Sequence, residues 1–224
     1  MRRLIFPIAL GLSGIAVLLY LGFWQVDRLA WKQGVLAEID ARIAAAPVPL
    51  PINVGEASDK YRAVSLSGTP TGAELHVLVS GTAAGTGYRV ISGFDTGGGR
   101  RILLDQGLLA LEDKSLAPAT SAITITGNLI WPDDRNSSTP DPDLPRNIWF
   151  ARDIMAMAAA LGTDPIMVVL NNGSGLDPRL TPLPVDTSTI KNDHLNYAIT
   201  WFLLAFVWAV MTMFLIIRTL RQKD

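Results

Sequence analysis

The chain has 224 residues, of which 49% are hydrophobic and 17% are charged, against about 25% charged in an average soluble domain. The formal net charge of −1 gives no general attraction for nucleic acid, so no nucleic-acid partner is expected. The chain contains no cysteine, which excludes disulfides, iron–sulfur clusters, thiolate metal sites and cysteine nucleophiles.

Two uncharged apolar segments, 4–23 and 197–217, account for the low charge content. Each is long enough, at about 1.5 Å per residue, to cross about 30 Å of hydrocarbon. The first exceeds the apolar core of about 7–15 residues found in cleaved signal peptides, and no A-x-A-like cleavage site follows it. We therefore expect an uncleaved anchor. An Arg-rich and Ser-rich presequence is also missing, which favours a bacterial plasma membrane over an organelle.

Positive charge near the two spans predicts their orientation. Arg2 and Arg3 precede the first span, and Arg218, Arg221 and Lys223 follow the second. The positive-inside rule then places both termini in the cytoplasm and the middle of the chain in the periplasm. Further cations at the opposite ends of the spans weaken this bias; they are Arg28, Lys32 and Lys191.

The segment 24–46 keeps a helical period after the first span. Val35, Ile39 and Ile43 recur every four residues, with charged side chains on the other face. The helix is expected to end before Pro47. The pattern predicts one long helix that leaves the membrane as an amphipathic, membrane-proximal segment.

From residue 61 the period changes to two, and turn residues become frequent. The predicted strands are 61–67, 75–79, 88–94, 101–110, 123–130 and 166–170. One short helix is predicted at about 153–161, ending at Gly162. Hairpin-length connections favour a mainly antiparallel sheet with this helix packed on it.

The predicted fold class is therefore an α+β membrane protein, in which two transmembrane helices flank a mainly antiparallel β domain with one short packed helix. Its predicted parts, in chain order, are a cytoplasmic tail (1–3), a first span (4–23), a membrane-proximal helix (24–46), a periplasmic α+β domain (47–191), an interfacial segment with the second span (192–217) and a second cytoplasmic tail (218–224).

Two patterns that suggest ligand sites have simpler interpretations. The three glycines at 97–99 lie between two predicted strands and lack the following helix and lysine of a phosphate-binding loop, so they predict a hairpin turn. The four aspartates between residues 133 and 143 do not match the spacing of a calcium loop and predict a solvated surface loop.

The chain has two histidines, and they occupy different settings. His76 lies within an alternating run, which predicts a half-buried strand residue. His194 lies just before the second span, where Asn192 or Asp193 is placed to cap the helix. His194, Tyr197 and Trp201 then share one helical face. An imidazole beside aromatic rings can ligate a haem iron near the lipid boundary; the alternative is an interfacial polar residue within an aromatic belt.

A second aromatic group lies at the outer end of the first span. Trp24, Arg28 and Trp31 fall on one helical face, so the Arg28 guanidinium is placed to stack on either indole ring. Trp24 and Arg28 are candidate cofactor-binding residues together with His194, Tyr197 and Trp201. An ordinary aromatic belt is the alternative interpretation here too.

The chain resembles the Surfeit locus protein 1 family, also called the Shy-one family, over nearly its whole length and in the same order. The most specific segment is 192–202, which reads NDHLNYAITWF. The other similar segments are 21–32 (LGFWQVDRLAWK), 61–68, 87–91 (GYRVI), 104–107 (LDQG), 127–132 (GNLIWP) and 147–153 (NIWFARD). One departure is at 106–110, where the family usually has Arg-Gly-Trp-Val-Pro and this chain has QGLLA.

The resemblance implies a non-enzymatic assembly factor for aa3-type cytochrome c oxidase, with two spans around an outer domain. It implies transient binding of haem a at the outer membrane interface, with His194 as axial ligand, and insertion of the haem into oxidase subunit I. Haem A synthase and membrane lipid are the other expected partners. A scaffold that stabilises oxidase subunits without haem, and a membrane enzyme using His194 with Asp193 or Asp153, are the alternative functions.

Overall fold

The computed structural model describes residues 2–82, 84–188 and 190–221. The chain divides into two compact units, one made of Met1–Glu38 with Thr187–Asp224 and the other of Ile39–Asp186. The helices are α1 (Arg2–Ile43), α2 (Glu56–Asp59), α3 (Ile154–Leu161) and α4 (His194–Arg221), and the strands are β1 (Val48–Pro49), β2 (Ala63–Thr82), β3 (Gly85–Asp95), β4 (Arg101–Leu109), β5 (Ile123–Ile130), β6 (Met167–Ser174) and β7 (Leu180–Thr181). The predicted α+β class, with two apolar helices at the ends of the chain, is confirmed.

Helices α1 and α4 are both long and apolar enough to cross a membrane. The predicted first span and the predicted amphipathic segment form one unbroken helix, α1. It ends at Ile43, three residues before the predicted end and four before Pro47, because the residue before a proline disfavours the helical backbone and the chain turns early.

α1 and α4 pack against each other in antiparallel directions. Glycines of α1 lie directly against side chains of α4, so that a Cβ added to any of them would overlap its partner. These pairs are Gly11 with Thr212, Gly14 with Trp208, and Gly22 with Phe202. Ala198 and Ala205 of α4 are buried in the same unit. Small residues of this kind allow helix backbones to approach closely in a membrane.

Five strands close into a barrel. β2 pairs with β5 over Ala63–Gly68 and with β3 over Thr69–Thr82. The ring is completed by the pairs β3–β4, β4–β6 and β5–β6. All of these pairs are antiparallel except β4–β6, so the predicted predominance of antiparallel pairing is correct. Closure leaves few unpaired strand edges.

The predicted strands 61–67 and 75–79 are halves of one long strand, β2. The sequence pattern placed a break at residues 68–70, and the chain instead bends there from one barrel partner to the other. A Cβ on Gly68 would collide with the carbonyl oxygen of Asp95, so glycine permits this close approach. The register also shifts between Pro70 and Glu74, as at barrel corners.

Alternate residues of the barrel strands contribute to two separate hydrophobic clusters. Ile102 and Leu104 belong to one cluster, and Leu103 between them belongs to the other. The second cluster includes Met157 and Ala158 of α3, so this helix covers one outer face of the barrel. The alternation that predicted the strands from the sequence is therefore the alternation between two cores.

Local turn signals gave correct predictions. The glycines at 97–99 lie in the turn between β3 and β4, closed by a hydrogen bond from the Thr96 amide to the Arg100 carbonyl, 2.9 Å long. Helix α3 begins after Asp153, whose carboxylate accepts a hydrogen bond from the Ala156 amide. It ends at Gly162, which has a positive φ of 64°.

The departure from the family pattern at 106–110 lies in the barrel wall. Gln106 is buried, and its amide donates a hydrogen bond of 2.8 Å to the Ser92 hydroxyl. Gly107 has a φ of 111°, and a Cβ there would collide with the Thr181 carbonyl oxygen. Gln106 and Leu108 therefore act as buried packing residues of β4, and Gly107 is required by the backbone.

Candidate functional site

His194 is the first residue of α4, and its ring contacts α1 through a single polar side chain. The Nδ1 atom of His194 lies 2.7 Å from the Oε1 atom of Gln25. Gln25 is only 8% exposed, and His194 is partly buried. The contact therefore fixes the imidazole at the level where the two helices face each other, and it uses one of the two ring nitrogens.

The other two residues of the predicted face differ in their surroundings. Tyr197 is 54% exposed, whereas Trp201 is partly buried. The indole Nε1 of Trp201 and the Oδ1 of Asn192 are both buried without a hydrogen-bond partner among the described residues. Buried donors and acceptors are nearly always paired, so these two atoms indicate a place for a polar ligand or water.

The start of α4 is organised by Asp193. Its carbonyl accepts a hydrogen bond of 3.1 Å from the Tyr197 amide. Its carboxylate lies 3.1 Å from the ammonium of Lys191, and this hydrogen bond raises the pKa of that lysine. The amide oxygen of Asn192, the alternative cap in the sequence analysis, makes no hydrogen bond with the described residues.

The aromatic group of α1 forms as predicted. The Arg28 guanidinium carbon lies 5.8 Å from the centre of the Trp24 ring and 5.2 Å from the centre of the Trp31 ring. Both rings are largely exposed, with Trp24 at 43%. The cation thus stacks between two indoles in the second half of α1, while the buried Gln25 next to Trp24 makes the contact with His194.

An apolar cleft of about 580 Å³ lies between the N-terminal part of α1 and the C-terminal part of α4. Its lining includes Phe6, Leu10, Trp208, Met211 and Arg218. Leu10 precedes Gln25 by 15 residues, which is about 22 Å of helix. The cleft is therefore separate from the His194 contact, and it does not form part of the candidate site.

Within the barrel unit, the described residues hold two buried ion-pair clusters. Arg179 pairs with both Glu74 and Asp177, at 2.8 and 2.7 Å. His76, predicted as half-buried, is buried beside this cluster, with its Nε2 3.4 Å from Glu74. In the second cluster, the fully buried carboxylate of Asp105 pairs with the guanidinium groups of Arg89 and Arg152.

No group of three or more His, Cys, Asp or Glu side chains able to hold a metal ion occurs among residues 2–82, 84–188 and 190–221. The ion pairs of the barrel join acids to arginines, which are not metal ligands. The aspartates of the 133–143 loop follow the same pattern: Asp134 pairs with Arg152 and Asp141 with Arg135. The His194–Gln25 contact and the unpartnered atoms of Trp201 and Asn192 make the start of α4 the candidate site for a cofactor.

The family profile that matches this chain covers residues 12–206, a range that includes most of α1, the whole barrel and the first half of α4. Both Gln25 and His194 lie within it. The chain belongs to the SURF1 family.

Individual SURF1 family relatives show the same extent of similarity. Surfeit locus protein 1 of Rattus norvegicus is 28% identical over 206 residues, covering 81% of this chain and 66% of the rat protein. The Homo sapiens protein of that name is 29% identical, covering 81% of this chain and 68% of its own length. A SURF1-like protein of Drosophila melanogaster is 28% identical, covering 84% and 71%. This chain thus spans about two thirds of the length of these relatives.

Gln25 belongs to the candidate site of this SURF1 family member, but it is not among the site residues predicted from the sequence. Its signal was present in the pattern of α1. Gly11, Gly14, Gly22 and Gln25 fall within about 80° on one face of a helix with 3.6 residues per turn. A polar amide that continues a face of small residues is placed where the partner helix approaches most closely, and it needs a hydrogen-bond partner there.

Proposed function

We propose that the protein is a cytochrome c oxidase assembly factor that binds haem a and assists its insertion into subunit I of an aa3-type oxidase. The SURF1 family is a family of cytochrome oxidase assembly factors, and the chain belongs to it over residues 12–206. The observation that carries the haem part of the proposal is the His194–Gln25 contact. It occupies Nδ1 of the imidazole, which leaves Nε2 as the nitrogen available for an axial bond.

The unpartnered polar atoms near His194 in the sequence fit haem a. When bound, haem a supplies a redox-active iron that accepts an axial imidazole, and its periphery carries formyl and carboxylate oxygens and a hydroxyl. The unpartnered Trp201 indole N–H is a donor for one such oxygen, and the unpartnered Asn192 Oδ1 is an acceptor for a hydroxyl. The apolar helix surfaces provide contact area for the porphyrin and its farnesyl tail.

A carrier has to release its cargo. One imidazole at a partly exposed position holds the iron by a single axial bond, so release requires breaking one ligand bond rather than two. The exposed ring of Tyr197 and the Arg28–tryptophan stack offer further aromatic contacts at the outer end of the helices. In this proposal the protein catalyses no reaction; it binds, orients and transfers.

We place the protein in a bacterial plasma membrane, with both termini in the cytoplasm and residues 39–186 in the periplasm. The antiparallel packing of α1 and α4 supports termini on a common side. The basic residues at both ends of the chain favour the cytoplasm for that side. The expected partners are oxidase subunit I, haem A synthase as the source of haem a, and membrane lipid.

The absorption spectrum of the purified protein tests this function. Wild type, His194→Ala and His76→Ala are coexpressed with haem a synthesis and purified in detergent. We expect a Soret band in wild type, its loss or shift in His194→Ala, and its retention in His76→Ala, the matched control at the second histidine. A band unchanged in His194→Ala moves the ligand elsewhere. Absence of haem from wild type rejects haem binding and leaves a scaffold role, tested by binding to oxidase subunits.

A further inference from the structure

We propose that Gln25 is a positioning residue that holds the His194 imidazole as its Nδ1–H tautomer and presents Nε2 for metal ligation. This inference rests on the proposed function, because the nitrogen that Gln25 leaves available is the proposed axial ligand. No ligation by Gln25 itself is involved. Its role is to act through His194.

The direction of the hydrogen bond follows from the atoms that meet. The amide oxygen Oε1 of Gln25 is an acceptor only, and it lies 2.7 Å from Nδ1 of His194. A hydrogen bond of this length therefore requires that Nδ1 carries the proton. In a neutral imidazole the proton on one nitrogen leaves the lone pair on the other, so Nε2 becomes the coordinating atom.

Packing keeps the Gln25 amide in place. Gln25 is 8% exposed, and it lies one helical turn from Gly22, where α1 approaches Phe202 of α4 so closely that a Cβ would overlap the ring. Few rotamers remain for a buried side chain between two helices that approach this closely. Hydrogen bonds are stronger where water is excluded, so the contact restrains both the tautomer and the ring plane of His194.

A neutral carbonyl acceptor also suits a site that must release its cargo. Histidines that bind metals commonly donate their second N–H to a carboxylate or a carbonyl, and this partner raises the basicity of the ligating nitrogen. A carboxylate does so more strongly than an amide because it carries a full negative charge. Gln25 thus orients the imidazole without the stronger electron donation that a glutamate would give.

Three variants separate orientation from packing. Gln25→Leu keeps the size of the side chain and removes the acceptor. Gln25→Glu restores an acceptor and makes it stronger. Gln33→Leu changes an exposed glutamine on the same helix and is the matched control. Each is prepared as the full chain in detergent, with ¹⁵N-labelled histidine and a His76→Gln background so that His194 gives the remaining imidazole signals.

The first measurement is made without haem, by ¹⁵N NMR of the imidazole at about pH 8, where an ordinary histidine is neutral. We expect a protonated Nδ1 and an unprotonated Nε2 in wild type, Gln25→Glu and Gln33→Leu, and a mixture of tautomers in Gln25→Leu. A wild-type ring protonated at Nε2, or a Gln25→Leu spectrum identical to wild type, would overturn the inference.

The second measurement is titration with haem. We expect Gln25→Leu to bind about 10- to 100-fold more weakly than wild type, and Gln25→Glu to recover the affinity with a more negative reduction potential. Loss of binding in Gln25→Leu without recovery in Gln25→Glu would reduce Gln25 to a packing residue. If wild type shows the expected tautomer and binds no haem, the proposed function fails while the positioning of His194 by Gln25 stands.

Discussion

Asp177 is a single residue on which much of the barrel's resistance to acid should depend. Burial of its carboxyl group by itself raises the pKa, but hydrogen bonds from the Arg179 guanidinium and from the amides of Ala119 and Arg179 outweigh this effect. The net pKa of Asp177 therefore lies below its ordinary value. The Arg179 guanidinium and the two backbone amides all favour the charged form of this carboxylate.

We predict that Asp177→Asn destabilises the protein at neutral pH and that the difference narrows as the pH falls below about 3.9, the unfolded pKa. A carboxyl whose pKa is lower in the folded state adds stability above its unfolded pKa of about 3.9, and this stability is lost as pH falls through the folded pKa. Breaking a buried pair costs up to about 3–5 kcal/mol at neutral pH, and we expect the lower end of this range because Arg179 keeps its ion pair with Glu74. Urea unfolding of both proteins between about pH 7 and pH 3 measures the difference.

The exposed pair of Asp95 and Arg101 provides the control for this prediction. The Arg101 guanidinium also lowers the pKa of Asp95, but both side chains are largely exposed. Asp95→Asn should therefore change stability little at any pH, because solvent screens the pair. A constant stability gap between wild type and Asp177→Asn across this pH range would show that lost packing, and not the charge, explains the Asn variant.

Residues with local roles were predictable from the sequence, and residues with distant partners were not. Gly162 was predicted as the end of a helix because a helix C-terminus needs a left-handed residue within the same short segment. By contrast, Arg179 and Glu74 are 105 residues apart, and His194 and Gln25 are 169 apart. Nothing in the local pattern around either residue of such a pair specifies its partner, since the fold alone brings them together.

At the scale of elements, the α1–α4 pair determines where His194 lies. Three contacts follow one another along the helix pair, from Gly22 with Phe202 to Gly11 with Thr212. Residue numbers fall along α1 as they rise along α4. The His194–Gln25 contact continues this series at the N-terminal end of α4. A change of register by one residue would rotate the imidazole by about 100° and remove Gln25 from it.

We predict that Gly11→Cys with Thr212→Cys forms a disulfide on mild oxidation. A Cβ at Gly11 would lie 3.0 Å from that of Thr212, slightly closer than the usual disulfide spacing of about 3.5–4.5 Å and within reach of a small helix shift. The chain has no native cysteine to compete. Migration on non-reducing gels after oxidation in membranes measures the product.

A second pair controls for collisions in the membrane. Gly11→Cys with Phe202→Cys keeps the first cysteine and moves the second by ten residues, or about 15 Å along α4. This pair should stay reduced. Equal oxidation of both pairs would show that the helices slide or separate, and the register inferred from the glycine contacts would be wrong.

The strands illustrate why sequence patterns find elements more easily than their connections. Each predicted strand lies within or overlaps a strand of the barrel, because successive side chains of a strand point to opposite faces and leave a period of two in the sequence. Closure of the barrel was not predicted, since it depends on the bend at Gly68 that lets β2 pair with both β5 and β3. The two-residue strands β1 and β7 were missed because two residues carry no measurable period.

For the molecule as a whole, the two units differ in their buried ion pairs, which lie in the barrel unit in the part of the chain that the structure describes. The barrel is closed, and several of its acids and bases pair with one another in buried clusters, although the Nδ1 of His76 is also buried without a hydrogen-bond partner among the described residues. The atoms that still lack a partner in the helical unit, on Trp201 and Asn192, lie close to His194 in the sequence. A folded barrel is therefore expected in His194 and Gln25 variants, so their effects on haem binding are interpretable as effects on the site.

The orientation of the whole chain is the remaining prediction. We expect a single cysteine introduced at Ser137, in the exposed loop before α3, to react with a membrane-impermeant maleimide in intact bacterial cells. A cysteine at Gln222, which follows α4, should react only after the membrane is permeabilised. The physical reason is that the cost of translocating the arginines next to both termini outweighs that of the fewer cations near Arg28 and Lys191.

Neutralising two arginines near the C-terminus tests whether the two helices insert as a unit. Arg218→Gln with Arg221→Gln removes both arginines from the last turn of α4, while Arg2, Arg3 and Lys223 remain charged. Because antiparallel helices hold both termini on one side, the variant should either keep the wild-type orientation or invert as a unit. If Gln222→Cys reacts in intact cells when all the arginines are kept, the proposed topology is reversed. The His194 end of α4 then lies at the cytoplasmic surface.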